Sequence, residues 1–358
     1  MALPNSAIVI GSGIAGSACA YLLGREGVAT TVICAEDVGG EATRVAPGML
    51  QPVTGRRARL APWHREGFEW TLGLARRLEG STPVLRPLGV LRAALDNGQA
   101  DLWRSASANL DPAIACWIGP DEAEQRCGAM PHGCRGGIWI GGGGVIDTAA
   151  FTRALLAAGR CTVMTGTGVI SFRVHDAGVE VRVEGRGTLS ADTLVLAAGV
   201  GTNALLDASG LPPVRGLVPA GGVVIELNTD ASPRCVVSSG GYLVPRPGGV
   251  VVGATFDERS PWEGITRDAV VDLEGRARRL LPPGTTMQLA RARSGVRPAT
   301  KDRVPRVGPH PDAPAIRICT GLGAKGLLLG PLAALMLVNQ LARRDDGPLP
   351  PARWTPTC

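Results

Sequence analysis

The stretch GSGIAG at residues 11–16 constrains this chain more than any other. An apolar run, AIVI, precedes it. SACAYLLGREG follows and reads as a helix ending at a glycine, and ATTVIC is a second apolar run. Strand, glycine turn, helix and strand make a βαβ opening. Gly11, Gly13 and Gly16 stand at the dinucleotide-binding spacing: the first for a tight turn, the second for backbone approach to a pyrophosphate, the third for close packing of helix on strand. Ser12, Ile14 and Ala15 complete the turn. The N–H groups and positive dipole end of the following helix would face the phosphates.

The second strand departs from the pattern. A ribose-holding acid is expected at its end, roughly 20 residues past the glycines. The sequence there reads TTVICAED, and the position holds Cys34. A thiol is a weak partner for two ribose hydroxyls. Two readings stay open. Glu36, two residues on, reaches back to the ribose, with Asp37 a lesser candidate. Alternatively, Cys34 ends the strand as a small buried residue and backbone or water serves the ribose. A redox role for Cys34 is disfavoured, because this is the adenosine end of the site.

The 358 residues, 45% of them hydrophobic, are ample for a large core and suggest two domains. No run of about 18 apolar residues free of breakers appears, so no membrane contact is expected. The start, MALPNSAIVIGSG, has no basic n-region, so no signal peptide is expected. Nine cysteines form no CxxC pair and are odd in number, which points to a reduced, cytoplasmic compartment. The four histidines show no metal spacing. Net charge is +6, almost all of the basic residues being arginine; only Lys301 and Lys325 are lysines. The basic residues are dispersed and not interleaved with aromatics, which argues against a nucleic-acid partner.

Farther along, residues 60–80 read as an amphipathic helix carrying Trp63, Phe68 and Trp70, and 81–145 are punctuated by Pro and Gly. The GGGG at 141–144 lacks the Gly-Lys-Ser/Thr of a phosphate loop. It leads instead into the helix DTAAFTRALLAAG, with Asp147 placed to cap it. VMTGTGVISFRV, GVEVRVEG and LSADTLVLAAG read as single strands. GGVVIEL, GYLVPRPGGVVVGATF and 287–297 suggest an antiparallel sheet, and the tail gives a strand, a glycine loop and a long apolar helix. Nucleotide-type strands thus recur at the start, middle and end. The expected fold is α/β: a discontinuous Rossmann-like domain from 1–80, 146–215 and 298–358, with an inserted α+β, antiparallel-sheet substrate domain from 81–145 and 216–297.

Several blocks, in order, resemble the D-amino acid oxidase superfamily of FAD-dependent amine oxidases, most closely its glycine oxidase branch. They are GSGIAGSACAYLL, ATRVAPGML, ADTLVLAAGVGTNAL, GYLVPRPGGVVVGAT, SGVRPATKDRVPRVG and GLGAKGLLLGP; residues 51–145 match poorly. The resemblance implies bound FAD. Thr43 and Arg44 would bond phosphate or ribityl oxygens, with Gly48 and Met49 near the flavin ring. Val169 would meet the adenine through its backbone, and Ala198 and Gly199 would pass close to the nucleotide. Gly323, Ala324, Lys325 and Gly326 would bring a helix N-terminus to the pyrimidine edge of the flavin. Nothing puts Cys319 at the flavin's edge, so attachment is expected to be non-covalent.

The resemblance also implies a substrate site. Arg297, in the GxRP block, would grip an amino-acid carboxylate with two parallel hydrogen bonds, the geometry that guanidinium offers. The plain alternative is a structural ion pair. Tyr242 would bond the carboxylate and Phe256 would wall the amine side, unless both are core aromatics. Lys325 would add charge at the flavin or aid oxygen, unless it is simply solvated. Glycine oxidases carry methionine at the position of Phe256 and arginine at that of Ala324, which counts against glycine itself as substrate.

The implied reaction is hydride transfer from Cα of a small amino acid or N-substituted glycine to flavin N5, giving an imine, with molecular oxygen then reduced to peroxide. One alternative is oxidation of a tRNA uridine bearing a carboxymethylamino group, itself an N-substituted glycine. A flavin monooxygenase is disfavoured because the C-terminal block reads ICTGLGAKG without a GD motif; a non-enzymatic flavin-binding protein is a further alternative. Oligomeric state is not legible. Purified protein is expected to be yellow, and acid precipitation is expected to release its flavin into the supernatant. Flavin retained in the pellet would contradict non-covalent binding.

Overall fold

A computed structural model describes residues 3–80, 83–131 and 133–344. The end of the 298–358 segment, with Cys358, lies outside the described residues. A six-stranded sheet runs in the order Arg306–His310, Ala313–Thr320, Thr193–Leu196, Ser6–Ile10, Ala29–Ile33 and Thr162–Met164. All neighbours are parallel except Arg306–His310. Its strands are apolar on both faces because both faces are covered. Ala7, Val9 and Val195 pack with the helices Ile14–Arg25, Thr148–Ala158 and Gly326–Ala342. Ile8, Ile10, Leu194 and Leu196 pack with a three-stranded antiparallel meander, Val169–His175, Gly178–Val183 and Gly187–Ala191. The period of two along each strand sorts its side chains between these layers.

Two stretches read as single strands are each two. VMTGTGVISFRV breaks after Met164: Thr162–Met164 joins the parallel sheet, and Val169–His175 begins the meander. Gly166, at φ +61, makes the corner between them. LSADTLVLAAG likewise divides at Asp192 into a meander strand and the buried Thr193–Leu196. Asp147 caps its helix as expected, accepting the Ala150 N–H at 2.8 Å. The Gly326–Ala342 helix is long and apolar by composition. Leu329, Ala333, Ala334 and Leu337 are buried in the core shared with Ala18, Cys19 and Leu23 of the first helix, so tertiary packing accounts for its apolarity.

A second, eight-stranded mixed sheet follows the order Met287–Thr300, Leu217–Thr229, Gly249–Gly253, Tyr242–Arg246, Val236–Ser238, Val90–Ala93, Gly137–Ile140 and Cys116–Ile118. The antiparallel strands expected at 216–297 form one part of it. The Pro/Gly-punctuated stretch supplies three more, one pairing in parallel with Val236–Ser238. Its outer face is covered by the helix Arg267–Leu280 through Leu273, Ala277 and Leu280. Against the expectation of reduced cysteines, Cys127 and Cys235 are joined by a disulfide across this junction. Spacing alone gave no sign of that pair, because 108 residues separate partners that only the folded sheet makes adjacent.

The first helix crosses Thr148–Ala158 glycine on glycine. A Cβ on Gly24 would stand 1.9 Å from the Gly159 carbonyl oxygen, and one on Gly159 would stand 2.7 Å from the Tyr21 Cα. Gly24→Ala would gain about 1 kcal/mol of helix propensity. Overpacking against backbone typically costs about 1–3 kcal/mol, and a contact this short belongs at the upper end. Gly24→Ala is therefore expected to lower the thermal midpoint of the holoprotein. A raised midpoint would show that propensity wins and the crossing is loose.

Candidate active site

The glycine turn is held by backbone contacts too close for any side chain. Gly11 sits at φ +104, and a Cβ there would be 2.3 Å from the Ala197 carbonyl oxygen. A Cβ on Gly16 would be 1.9 Å from the Gly11 carbonyl oxygen. Ser12 is buried; its hydroxyl accepts the Gly39 N–H at 3.1 Å, and its carbonyl accepts the Ser17 hydroxyl at 2.8 Å. The Thr43 hydroxyl accepts the Ile14 N–H at 3.1 Å, and its carbonyl accepts from Thr148 at 2.8 Å. Residues 39–43 are thereby fastened beside the start of the first helix. Gly13, Ile14, Ala15, Thr43, Gly48 and Met49 line a cavity of about 520 Å³.

Farther along the carboxyl ends of the parallel strands lie the residues expected at the adenosine end, outside this cavity. Cys34 is buried, and its thiol lies 3.4 Å from the Met164 carbonyl oxygen, so it closes the strand edge. Glu36 projects from the strand end with 66% of its side chain exposed and forms an ion pair with Arg44. Arg44 therefore stands with its guanidinium at Glu36, and its own carbonyl accepts from Arg293 at 3.0 Å. Val169 opens the meander. Gly199 follows Ala198 at φ +60, with nothing within 4 Å of the place its Cβ would occupy. These positions share the crevice where open α/β sheets bind ligands.

The far end of the cavity belongs to the second sheet. Arg297 lies on the strand Met287–Thr300, paired with Ala220 on Leu217–Thr229. Its guanidinium covers Gly222, where a Cβ would fall 2.1 Å from Nη1. Nη1 donates to the carbonyls of Gly221 (3.2 Å) and Thr255 (3.3 Å). The Phe256 ring centroid is 5.7 Å from Cζ. Among the described residues no carboxylate forms an ion pair with Arg297; Asp302, the nearby acid in sequence, pairs with Arg306 at 2.8 Å. Burial without a counter-charge pulls the Arg297 pKa below its ordinary value, opposed by Tyr242. Burial pushes the Tyr242 phenol up to about 12 despite Arg297, Arg293 and Arg276 nearby. Tyr242 thus stays a neutral hydrogen-bond donor across the physiological range. Phe256 is 52% exposed, so it forms the cavity's rim and not its core.

Gly323, Ala324 and Gly326 line the cavity where the helix Gly326–Ala342 begins. Lys325 is not among the lining residues. It is half-buried, and burial followed by Arg303 lowers its pKa. Burial, followed by the charge of Lys325, lowers the pKa of His64 to about 4, so His64 is neutral at pH 7. Leu322, Leu327 and Val224 complete the apolar lining. A turn with a helix N-terminus at one end, an apolar middle and a cation at the other fits a dinucleotide with a planar ring. Among the lining residues that escaped the sequence reading are Gly222 and Arg276. Gly222 carried a usable signal, since a glycine within a strand marks close backbone approach. Arg276 carried none, because it resembles Arg278 and Arg279 beside it on the same amphipathic helix.

A family model described as FAD dependent oxidoreductase matches residues 6–340. The chain is 28% identical to a glycine oxidase of Bacillus licheniformis, over 93% of this chain and 92% of that protein. It is 29% identical to the tRNA 5-methylaminomethyl-2-thiouridine biosynthesis bifunctional protein MnmC of Polaromonas naphthalenivorans, over 97% of this chain but only 58% of that protein's length. Its fold matches the crystal structure of glycine oxidase from Geobacillus kaustophilus, with a TM-score of 0.84 and 22% identity, covering 100% of this chain and 99% of the other.

The Glu36–Arg44 pair yields a test. Glu36→Ala removes both the leading acid at the strand end and the anchor of Arg44. FAD retention is expected to weaken about tenfold, the worth of one charge-assisted hydrogen bond, as read by flavin release on dilution. Unchanged retention would assign Glu36 to the ion pair alone.

Proposed function

The chain belongs to the FAD-dependent oxidoreductase (DAO) family, and from that premise we propose that it oxidises a small amino acid or N-substituted glycine at the bond between Cα and nitrogen, with molecular oxygen as the final acceptor. FAD is its cofactor, and when bound it supplies the acceptor for the hydride leaving Cα. The observation that carries the proposal is Arg297: a half-buried cation on a cavity wall, without an ion-pair partner among the described residues. Burying a charge unpaired is costly, so such a group favours an anionic ligand. A carboxylate gripped in bidentate fashion is also oriented, and orientation at short range supplies much of the rate of such a reaction.

The other residues support the same reading. Tyr242 donates a second hydrogen bond toward the carboxylate and holds its proton at working pH. Gly222 leaves the guanidinium its place. Leu322, Leu327 and Met49 keep water from the reacting carbon. No general base is required, because a neutral amine needs none to release its Cα hydride. Phe256 and Ala324, where glycine oxidases carry methionine and arginine, favour a substrate other than glycine. A second reading, action on a carboxymethylamino group of a tRNA uridine, is favoured by similarity to the bifunctional tRNA-modifying protein along 97% of this chain. The exposed rim residue Phe256 is compatible with it; salt-sensitive tRNA binding would select it.

Anaerobic mixing with amino acids and N-alkyl glycines is expected to bleach the flavin with at least one of them. If none does, the proposal fails. Arg297→Ala should raise KM on the order of 100-fold while flavin stays bound, as expected when one partner of a buried charge pair is removed. Gly222→Ala should act in the same direction by displacing the guanidinium. Unchanged kinetics in both variants would remove the carboxylate grip.

A further inference from the structure

The cavity holds a second arginine that the proposed reaction does not use. Arg276, on the helix Arg267–Leu280, lines the same cavity as Arg297 and Tyr242. Its Nη1 donates to the Ala254 carbonyl at 3.0 Å, and its Nη2 pairs with Asp272 at 2.6 Å. Arg297 donates to the next carbonyl, that of Thr255. Both side chains line the one cavity of about 520 Å³, which puts them within reach of one small molecule. Both also act on the Tyr242 phenol, each stabilising its ionised form. The turn at Gly240–Gly241 is shaped to this side chain: a Cβ on Gly241 would stand 3.1 Å from Arg276 Cδ. Nothing lies within 4 Å of the place where a Gly240 Cβ would be, which leaves space beside the guanidinium.

The donor count matters here. A guanidinium has five N–H donors. The Ala254 carbonyl and Asp272 take one each, on opposite nitrogens, and Asp272 is an exposed partner, its side chain 47% accessible, in a weak i,i+4 pair. Arg276 therefore keeps donors available at the cavity wall. Asp272 fixes its orientation from the solvent side without a buried counter-charge.

We infer that Arg276 forms a second anion subsite, so that the preferred substrate is an amino acid or N-substituted glycine carrying a second carboxylate beyond the one held by Arg297. This rests on the reading of Arg297 as the carboxylate grip. One carboxylate is fixed at Arg297, beside Tyr242. The other extends past Tyr242 to the space between Arg276 and Gly240, and the reacting Cα–N bond lies between them. Selectivity for two charges arises because a substrate with one carboxylate leaves Arg276 without its second partner.

The test separates binding from turnover. Holoenzyme is titrated with thiodiacetate, a dicarboxylate without a C–N bond to oxidise, and with (methylthio)acetate, its monocarboxylate counterpart; the flavin absorbance change reports each Kd. Wild type is expected to prefer the dicarboxylate at least tenfold. Arg276→Gln is expected to bring that ratio near one, and Arg276→Lys to recover part of it, with the visible flavin spectrum confirming a folded site. Equal affinities in wild type, or a preference that survives Arg276→Gln, would overturn the second subsite while leaving the Arg297 grip standing. If neither compound perturbs the flavin, the Arg297 reading falls and the subsite falls with it.

Discussion

The contact between Gly16 and the Gly11 carbonyl sets the frame for the rest of the molecule. A Cβ at Gly16 would leave 1.9 Å to that oxygen. The helix Ile14–Arg25 therefore lies directly on the end of Ser6–Ile10, and its N-terminus opens onto the carboxyl edge of the sheet. Thr43 then has a helix N–H to bond, and residues 42–49 are brought along the cavity wall. The same helix packs on Gly326–Ala342, whose start closes the cavity from the other side. One close approach of backbone on backbone thus positions three segments that are far apart in sequence.

The second sheet answers that frame with charge. Its two longest strands, Leu217–Thr229 and Met287–Thr300, carry Gly222 and Arg297 to the cavity, so the guanidinium lies over a residue that has no side chain. Burial lowers the affinity of Arg297 for its proton, and among the described residues no carboxylate pairs with it to offset this; only Tyr242 opposes it. A guanidinium nonetheless stays protonated at neutral pH. The result is a cationic cavity wall, beside which burial keeps Tyr242 a neutral donor. Arg306 shows the contrast, since it pairs with Asp302. Arg92 likewise has no ion pair among the described residues and donates to the carbonyls of Val53 and Gly55, but it is covered by the Trp103 ring and does not line the cavity.

Legibility followed the range of the interaction. The βαβ opening, the Asp147 cap and the apolar C-terminal helix rest on contacts within a few residues, and periodicity or capping chemistry reveals them. The breaks at 165–168 and at Asp192 were not visible, because strand-forming residues run through both. What divides them is which sheet each half joins. Residues 83–145 were obscure for the same reason: short strands such as Val90–Ala93 and Cys116–Ile118 are stabilised by the sheet they complete and have no strong pattern of their own. The Cys127–Cys235 pair belongs to this group.

By itself the sequence determined that a dinucleotide sits at the first βα turn, because Gly11, Gly13 and Gly16 must follow one another at fixed spacing for the backbone to make that turn. It also placed Arg297 in the GxRP block, for which the resemblance implies a carboxylate grip. Tertiary structure alone decided which charges stay unpaired. Glu36 meets Arg44, Asp302 meets Arg306 and Asp272 meets Arg276, whereas Arg297 meets no carboxylate among the described residues. Spacing along the chain does not fix such pairings, since a side chain's counter-charge depends on what the fold brings within about 4 Å of it, and here the fold brings an open cavity.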